Sequence, residues 1–147
     1  MKKIAIGCDH VGYLYKEKLK EYLSKEYIVI DVGTFSSESC DYPEYSIKAA
    51  ELVAAGKCEY GILICKTGEG IMMAANKVGG VRCGVGYNDE VASLMRQHNN
   101  ANMISFGQAY TTEEELLKRV KIFLNSEFLG GIHDNRVKMI LDYESKK

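Results

Sequence analysis

Tryptophan is absent, proline occurs once and histidine three times in this 147-residue chain. With a single proline and no Gly/Ser- or Pro-rich tract there is no candidate linker, low-complexity segment or internal repeat. Residues 1–147 are therefore expected to form one domain, long enough to bury a real core. No apolar run approaches the ~20 residues of a membrane span. An excess of charge is missing as well. The 19 basic and 20 acidic residues leave a net charge of −1, which gives no electrostatic case for nucleic acid or an anionic membrane surface. The start, MKKIAIGCDH, opens like a signal peptide, but its apolar stretch stops at Asp9, and the expected location is the cytosol.

Five cysteines make an odd number, with no C-x-x-C spacing and no companion histidine at metal-ligand spacing, so neither a disulfide framework nor a metal site is expected. Cys8 and Cys83 lie in or at the end of strand-like runs and read as small buried hydrophobes, while Cys40 and Cys58 read as loop or rim residues with no visible task. The G-x-x-x-x-G-K-[ST] spacing is absent and no G-x-G-x-x-G follows the first strand-like run, so nicotinamide binding is unsupported.

What is present is an alternation of short apolar β-prone runs with helical patterns. Strands are predicted at 3–7, 28–32, 60–64, 81–85 and 103–106. Helices are predicted near 13–25, 42–55, 70–78, 89–98, 112–125 and 134–147. Continuous apolar strands, each followed by a helix, predict a parallel sheet covered on both faces: a three-layer α/β/α sandwich with five strands. Asn88-Asp89 and the run Thr111-Thr112-Glu113-Glu114-Glu115 have the chemistry of helix starts. Gly130-Gly131 marks a break before the last helix, which has little sheet left to pack on. A partner subunit is its natural cover, so a homodimer is expected, with further pairing of dimers left open.

Ligands of open parallel sheets bind beyond the carboxyl ends of the strands. Residues 61–77, GILICKTGEGIMMAANK, put a thiol (Cys65), a hydroxyl (Thr67) and the glycine-punctuated turn Lys66-Thr67-Gly68-Glu69-Gly70 at one such end. Glycines allow close ligand approach, the N–H groups of a helix start favour anions, and a thiol beside them is placed to act as a nucleophile or base. The plain alternative is a tight turn with a buried cysteine. Asp9-His10 follows the first strand and can contact hydroxyls or phosphate, or simply cap the next helix. His98-Asn99 ends a helix, where a histidine is favoured by the dipole whatever its function. Arg136 and His133 lie at the last helix, where the plain reading is solvent exposure.

The stretches IAIGCDHVGY (4–13), DVGTFSSESCDYPEYS (31–46), ILICKTGEGIMMAANKVGGVR (62–82), SLMRQHNNANMISFG (93–107) and GGIHDNRV (130–137) occur in an order that resembles the type B ribose-5-phosphate isomerases and the related galactose-6-phosphate isomerase subunits. The resemblance implies a dimeric Rossmann-like sandwich acting without metal or organic cofactor, which interconverts an aldose and a ketose of a sugar phosphate through an enediolate. It implies Cys65 as the base between C1 and C2, Thr67 as the hydroxyl at O1 and O2, and His98 as the ring-opening histidine. The turn 66–70 matches the oxyanion donors, Asp9, His10 and Asn99 match substrate contacts, and Arg136 matches a phosphate arginine. Three positions depart from the family pattern: Lys66 replaces a glycine, and Ala109 and Ile132 replace arginines. Either Lys66, with His10, His133 and Arg136, completes a different anion pocket, or the sugar carries its phosphate elsewhere or lacks it. A four- or six-carbon sugar phosphate and a non-catalytic partner subunit are the alternative readings.

Overall fold

A computed structural model describes residues 1–146; Lys147, the end of the predicted last helix, lies outside the described residues. Five strands, β1 (Lys3–Cys8), β2 (Ile28–Asp31), β3 (Tyr60–Cys65), β4 (Cys83–Val85) and β5 (Met103–Gly107), pair in parallel throughout in the order β2-β1-β3-β5-β4. The helices are α1 (Tyr13–Leu23), α2 (Tyr42–Ala54), α3 (Glu69–Ala75), α4 (Asp89–Gln97), α5 (Glu113–Asn125) and α6 (Ile132–Glu144). The three-layer sandwich predicted from the alternation is the fold observed.

Strand side chains alternate between faces. Ile4, Ile6, Cys8, Ile62 and Ile64 enter a core with residues of α1, α4 and α5, including Leu19, Met95 and Phe123. Ala5, Leu63 and Cys65 enter a second core with Ala49, Ala50 and Val53 of α2 and Ile71 and Ala75 of α3. Cys65 therefore belongs to the α2/α3 side and Cys8 to the other. Cys58, expected at a rim, is instead packed into the second core at 2% exposure.

The predicted caps form. Asn88 Oδ1 accepts the Val91 N–H at 2.7 Å, and Thr112 and Glu115 exchange side-chain and backbone bonds as a capping box. Two element starts move by two residues. The ladder of β4 begins at Cys83 rather than Val81, because side-chain amides take the donors first: Arg82 N–H goes to Asn102 Oδ1 and Cys83 N–H to Asn76 Oδ1. Helix α6 begins at Ile132 rather than Asp134, after Gly131 at φ 59°.

Lys16 of α1 has a fully buried side chain whose ammonium meets Asp31 at 2.5 Å and Glu17 at 3.3 Å. Burial alone pushes the Asp31 carboxyl up; the Lys16 bond, the Gly33 N–H and Lys20 outweigh it and hold the group below the usual carboxylate range. A depressed carboxylate stabilises the fold above its unfolded value and loses that contribution as pH falls through the folded one. Asp31→Asn is expected to lower the melting temperature at neutral pH and to flatten the acid limb of the stability curve below about pH 4. Asp31→Ala, which leaves the buried Lys16 ammonium with Glu17 at 3.3 Å as its remaining carboxylate, is expected to cost about 3 kcal/mol in denaturant titration. An unchanged midpoint in both variants would rule out this role for the pair.

Helix α6 buries only Val137 among its described side chains, while Ile132, Met139 and Ile140 are 72%, 63% and 53% exposed.

Candidate active site

The strand order reverses between β1 and β3: the chain goes one way to β2, then back past β1 to β3. A crevice forms at such a switch point, beyond the carboxyl ends. Asp9-His10 leaves β1 and Cys65 ends β3 there. The Cys65 side chain is 4% exposed, and its sulfur accepts the Gly68 N–H at 3.2 Å.

The turn is stapled to β5. Ser105 Oγ donates to Gly68 O at 2.8 Å and Ala109 N–H to Lys66 O at 3.1 Å. Gly68 sits at φ 81°, and a Cβ there would lie 2.9 Å from Phe106 C. A Cβ on Gly107 would meet Thr67 O at 2.5 Å. Any side chain at either position would push the turn off the sheet.

The turn's N–H donors are not all free for an anion. Gly68 N–H is spent on Cys65 Sγ and Glu69 N–H on Thr67 Oγ1 at 3.2 Å. Those of Lys66, Thr67 and Gly70 carry no protein acceptor among the described residues. Glu69 and Lys66 are exposed and without an ion pair among the described residues. Lys66 is also the only lysine or arginine in the five loops that leave the carboxyl ends, 9–12, 32–41, 66–68, 86–88 and 108–112.

Asp9 is 7% exposed, and its Oδ1 accepts the N–H groups of Val11 and Gly12 at 3.0 and 3.2 Å, so it holds the turn that leads from β1 into α1. His10 Nδ1 accepts the Cys40 N–H at 3.2 Å, which puts its ring proton on Nε2 and makes that nitrogen a donor. Cys40, expected to have no task, thus orients His10. Gln108, which follows β5, has a buried Oε1 with no partner among the described residues. Its place directly after the fifth strand is the sequence signal that marks it.

The other predicted residues stand elsewhere. Helix α4 starts beyond β4 and runs back along the sheet, so His98, its C-cap, comes to the amino ends of the strands. Asn100 O accepts Arg82 Nε–H, and Asn102 O accepts the N–H of Gly61, the second residue of β3. Gly61 and Cys65 are about 13 Å apart along an extended strand. Within one chain, then, His98, Asn99, His133 and Arg136 are not brought to Cys65. They do gather with each other. The His98 and His133 rings stack at 4.2 Å with 16° between planes, and Leu129 N–H donates to Gln97 O beside them. Burial, then the charges of His98 and Arg136, hold His133 below the ordinary imidazole range, with Asp134 opposing. Asn99 and Arg136 are exposed.

Burial pushes the thiols of Cys8 and Cys83 up to about 12, so both stay protonated at neutral pH. Among the described residues no three His, Cys, Asp or Glu converge as a metal site, and no helix is long and apolar enough to cross a membrane.

The sequence profile of the family described as Ribose/Galactose Isomerase matches residues 4–140. Ribose-5-phosphate isomerase B of Escherichia coli is 43% identical, over 100% of this chain and 99% of its own. The structure of ribose-5-phosphate isomerase B from Clostridium thermocellum superimposes with a TM-score of 0.96 at 45% identity, covering 98% of both chains. That of the Mycoplasma genitalium enzyme, which has ribulose 5-phosphate bound, superimposes at 0.94 with 37% identity, covering 99% of this chain and 97% of that one.

Proposed function

The chain belongs to the ribose/galactose isomerase family, and on that premise we propose that it interconverts ribose 5-phosphate and ribulose 5-phosphate through an enediolate. The observation that carries the reading is Cys65 Sγ at the switch-point end of β3, with the Gly68 N–H on it and Asp9-His10 across the crevice. Aldose–ketose isomerisation needs one base that reaches two adjacent carbons. The Cys65 thiolate takes the proton from C2 of the aldose and returns it to C1. Thr67 Oγ1 exchanges protons with O1 and O2, and the N–H groups of the turn 66–70 that have no protein acceptor stabilise the charge on oxygen. Asp9 and the Nε2–H of His10 contact hydroxyls.

Lys66 holds the phosphate on this side, in a loop set with no other lysine or arginine. His98 opens the sugar ring, and Asn99, His133 and Arg136 complete the substrate contacts. These four belong to a second copy of the chain, because their own Cys65 lies a strand length away. The exposed apolar residues of α6 supply a surface for that copy, which supports a homodimer. The five free cysteines suit a reducing cytosol.

The test is a panel of ribose, ribose 5-phosphate, ribulose 5-phosphate and six-carbon sugar phosphates in deuterated water. Deuterium is expected in the five-carbon phosphates and not in free ribose. In Lys66→Ala, KM for ribose 5-phosphate is expected to rise about 10-fold or more with little change in kcat, since a hydrogen bond to a charged group contributes about 1.5–3 kcal/mol. Exchange confined to a six-carbon phosphate would reassign the substrate, and exchange into nothing would overturn the reading.

A further inference from the structure

Arg96 is 7% exposed and, among the described residues, has no carboxylate partner. A buried cation is costly unless it is hydrogen-bonded, and here Nε and Nη1 make three bonds. Nη1 donates to Ala101 O at 2.7 Å and to Asn100 Oδ1 at 3.0 Å, and Nε donates to Ser126 O at 3.2 Å. The guanidinium carbon lies 5.0 Å from the Tyr60 ring centroid and 5.9 Å from that of Phe123, two rings packed edge to face at the amino end of β3.

These acceptors come from two separate segments. Asn100 and Ala101 belong to the turn that follows His98, in which Asn100 takes φ 49°, a left-handed conformation that a non-glycine residue holds only when its neighbours fix it. Ser126 opens the connection from α5 to α6, which leads through Leu129 to His133. The rigid fork of one side chain therefore spans the two stretches of backbone whose histidines stack. A lysine has the charge but not the fork.

We propose that Arg96 is the positioning residue of the histidine pair: it fixes the His98 turn against the 126–131 connection and so sets the stacked geometry of His98 and His133. The consequence for catalysis rests on His98 acting in ring opening. Ribose 5-phosphate closes a ring through O4, whereas ribulose 5-phosphate, with O5 phosphorylated, stays open. A displaced His98 therefore slows turnover of the aldose and spares proton exchange at C1 of the ketose, which needs only the Cys65 side.

Two readouts on Arg96→Met and Arg96→Lys, both in the full chain, test this. The chain has three histidines, so their ring protons are resolvable by NMR, assigned with His98→Gln and His133→Gln. In both variants the His98 and His133 signals are expected to lose the mutual ring-current shift, while His10 stays in place as an internal control. Unmoved His98 and His133 signals in a folded variant overturn the proposal, as does an equal shift of all three. If Arg96→Met fails to fold, Arg96→Lys decides. In kinetics, kcat on ribose 5-phosphate is expected to fall about 10- to 100-fold, with C1 exchange into ribulose 5-phosphate within about twofold of the parent. Equal loss in both, with the His signals moved, leaves the positioning role standing and removes the ring-opening role of His98. A parent protein with no isomerase activity defeats the functional reading alone, and the NMR result then decides the proposal.

Discussion

Cys65→Ala is expected to abolish isomerisation and C1 exchange together, with a loss of about 10³- to 10⁴-fold, the upper range for removal of a general base. The fold should survive. The side chain is small, and its one polar contact is the Gly68 N–H, so the cost falls within the range of about 0.5–3 kcal/mol for a point mutation. Cys65→Ser separates position from chemistry. Its hydroxyl can still accept the Gly68 N–H, so the turn keeps its shape, but a hydroxyl is far too weak an acid to supply the base at neutral pH. Equal inactivity of the serine and alanine variants, with a normal melting curve for serine, would show that the turn needs a thiolate and not merely a bond acceptor. Cys8→Ala is the control. Cys8 lies on the opposite face of the sheet with its thiol pushed up to about 12, and its loss should touch stability and leave exchange intact. Activity of Cys65→Ala within tenfold of the parent would refute the assigned base.

The parts of this molecule that local chemistry determines were legible in the sequence. Alternating apolar strands and helical patterns led to the five-stranded parallel sandwich, and Asn88, Thr112 and Glu115 cap their helices as their chemistry demands. Cys65, Asp9 and His10 come to the switch point because each directly follows or ends a strand. What was not legible depends on long-range partners. The start of β4 is delayed by the amides of Asn76 and Asn102, which come from elsewhere in the chain. Two of the turn's N–H groups are occupied by Cys65 and Thr67 themselves, which no composition rule indicates. Above all, His98 shares a motif pattern with Cys65 but ends a helix that starts at the carboxyl side, and a nine-residue helix carries its end about 13 Å away. Pattern matching names the members of a site; chain geometry decides whether one chain can assemble it.

That separation leads to the second large effect. Co-expression of Cys65→Ala with His98→Ala, each inactive on ribose 5-phosphate alone, is expected to restore activity. If each site takes Cys65 from one chain and His98 from its partner, a mixed dimer has one doubly damaged site and one intact site. Random pairing makes half the dimers mixed, so about a quarter of all sites recover in a closed two-fold assembly. A site built within one chain predicts none, since neither chain then holds both groups. The two outcomes differ between near zero and a quarter of the parental rate, and unequal expression changes the fraction without changing the sign. Arg96 sharpens the result further. Placed on the chain with intact His98, Arg96→Lys should reduce the recovered rate, because that chain supplies the histidine. Placed on the chain with intact Cys65, the same substitution should leave it unaltered, because there the histidine it positions is already gone.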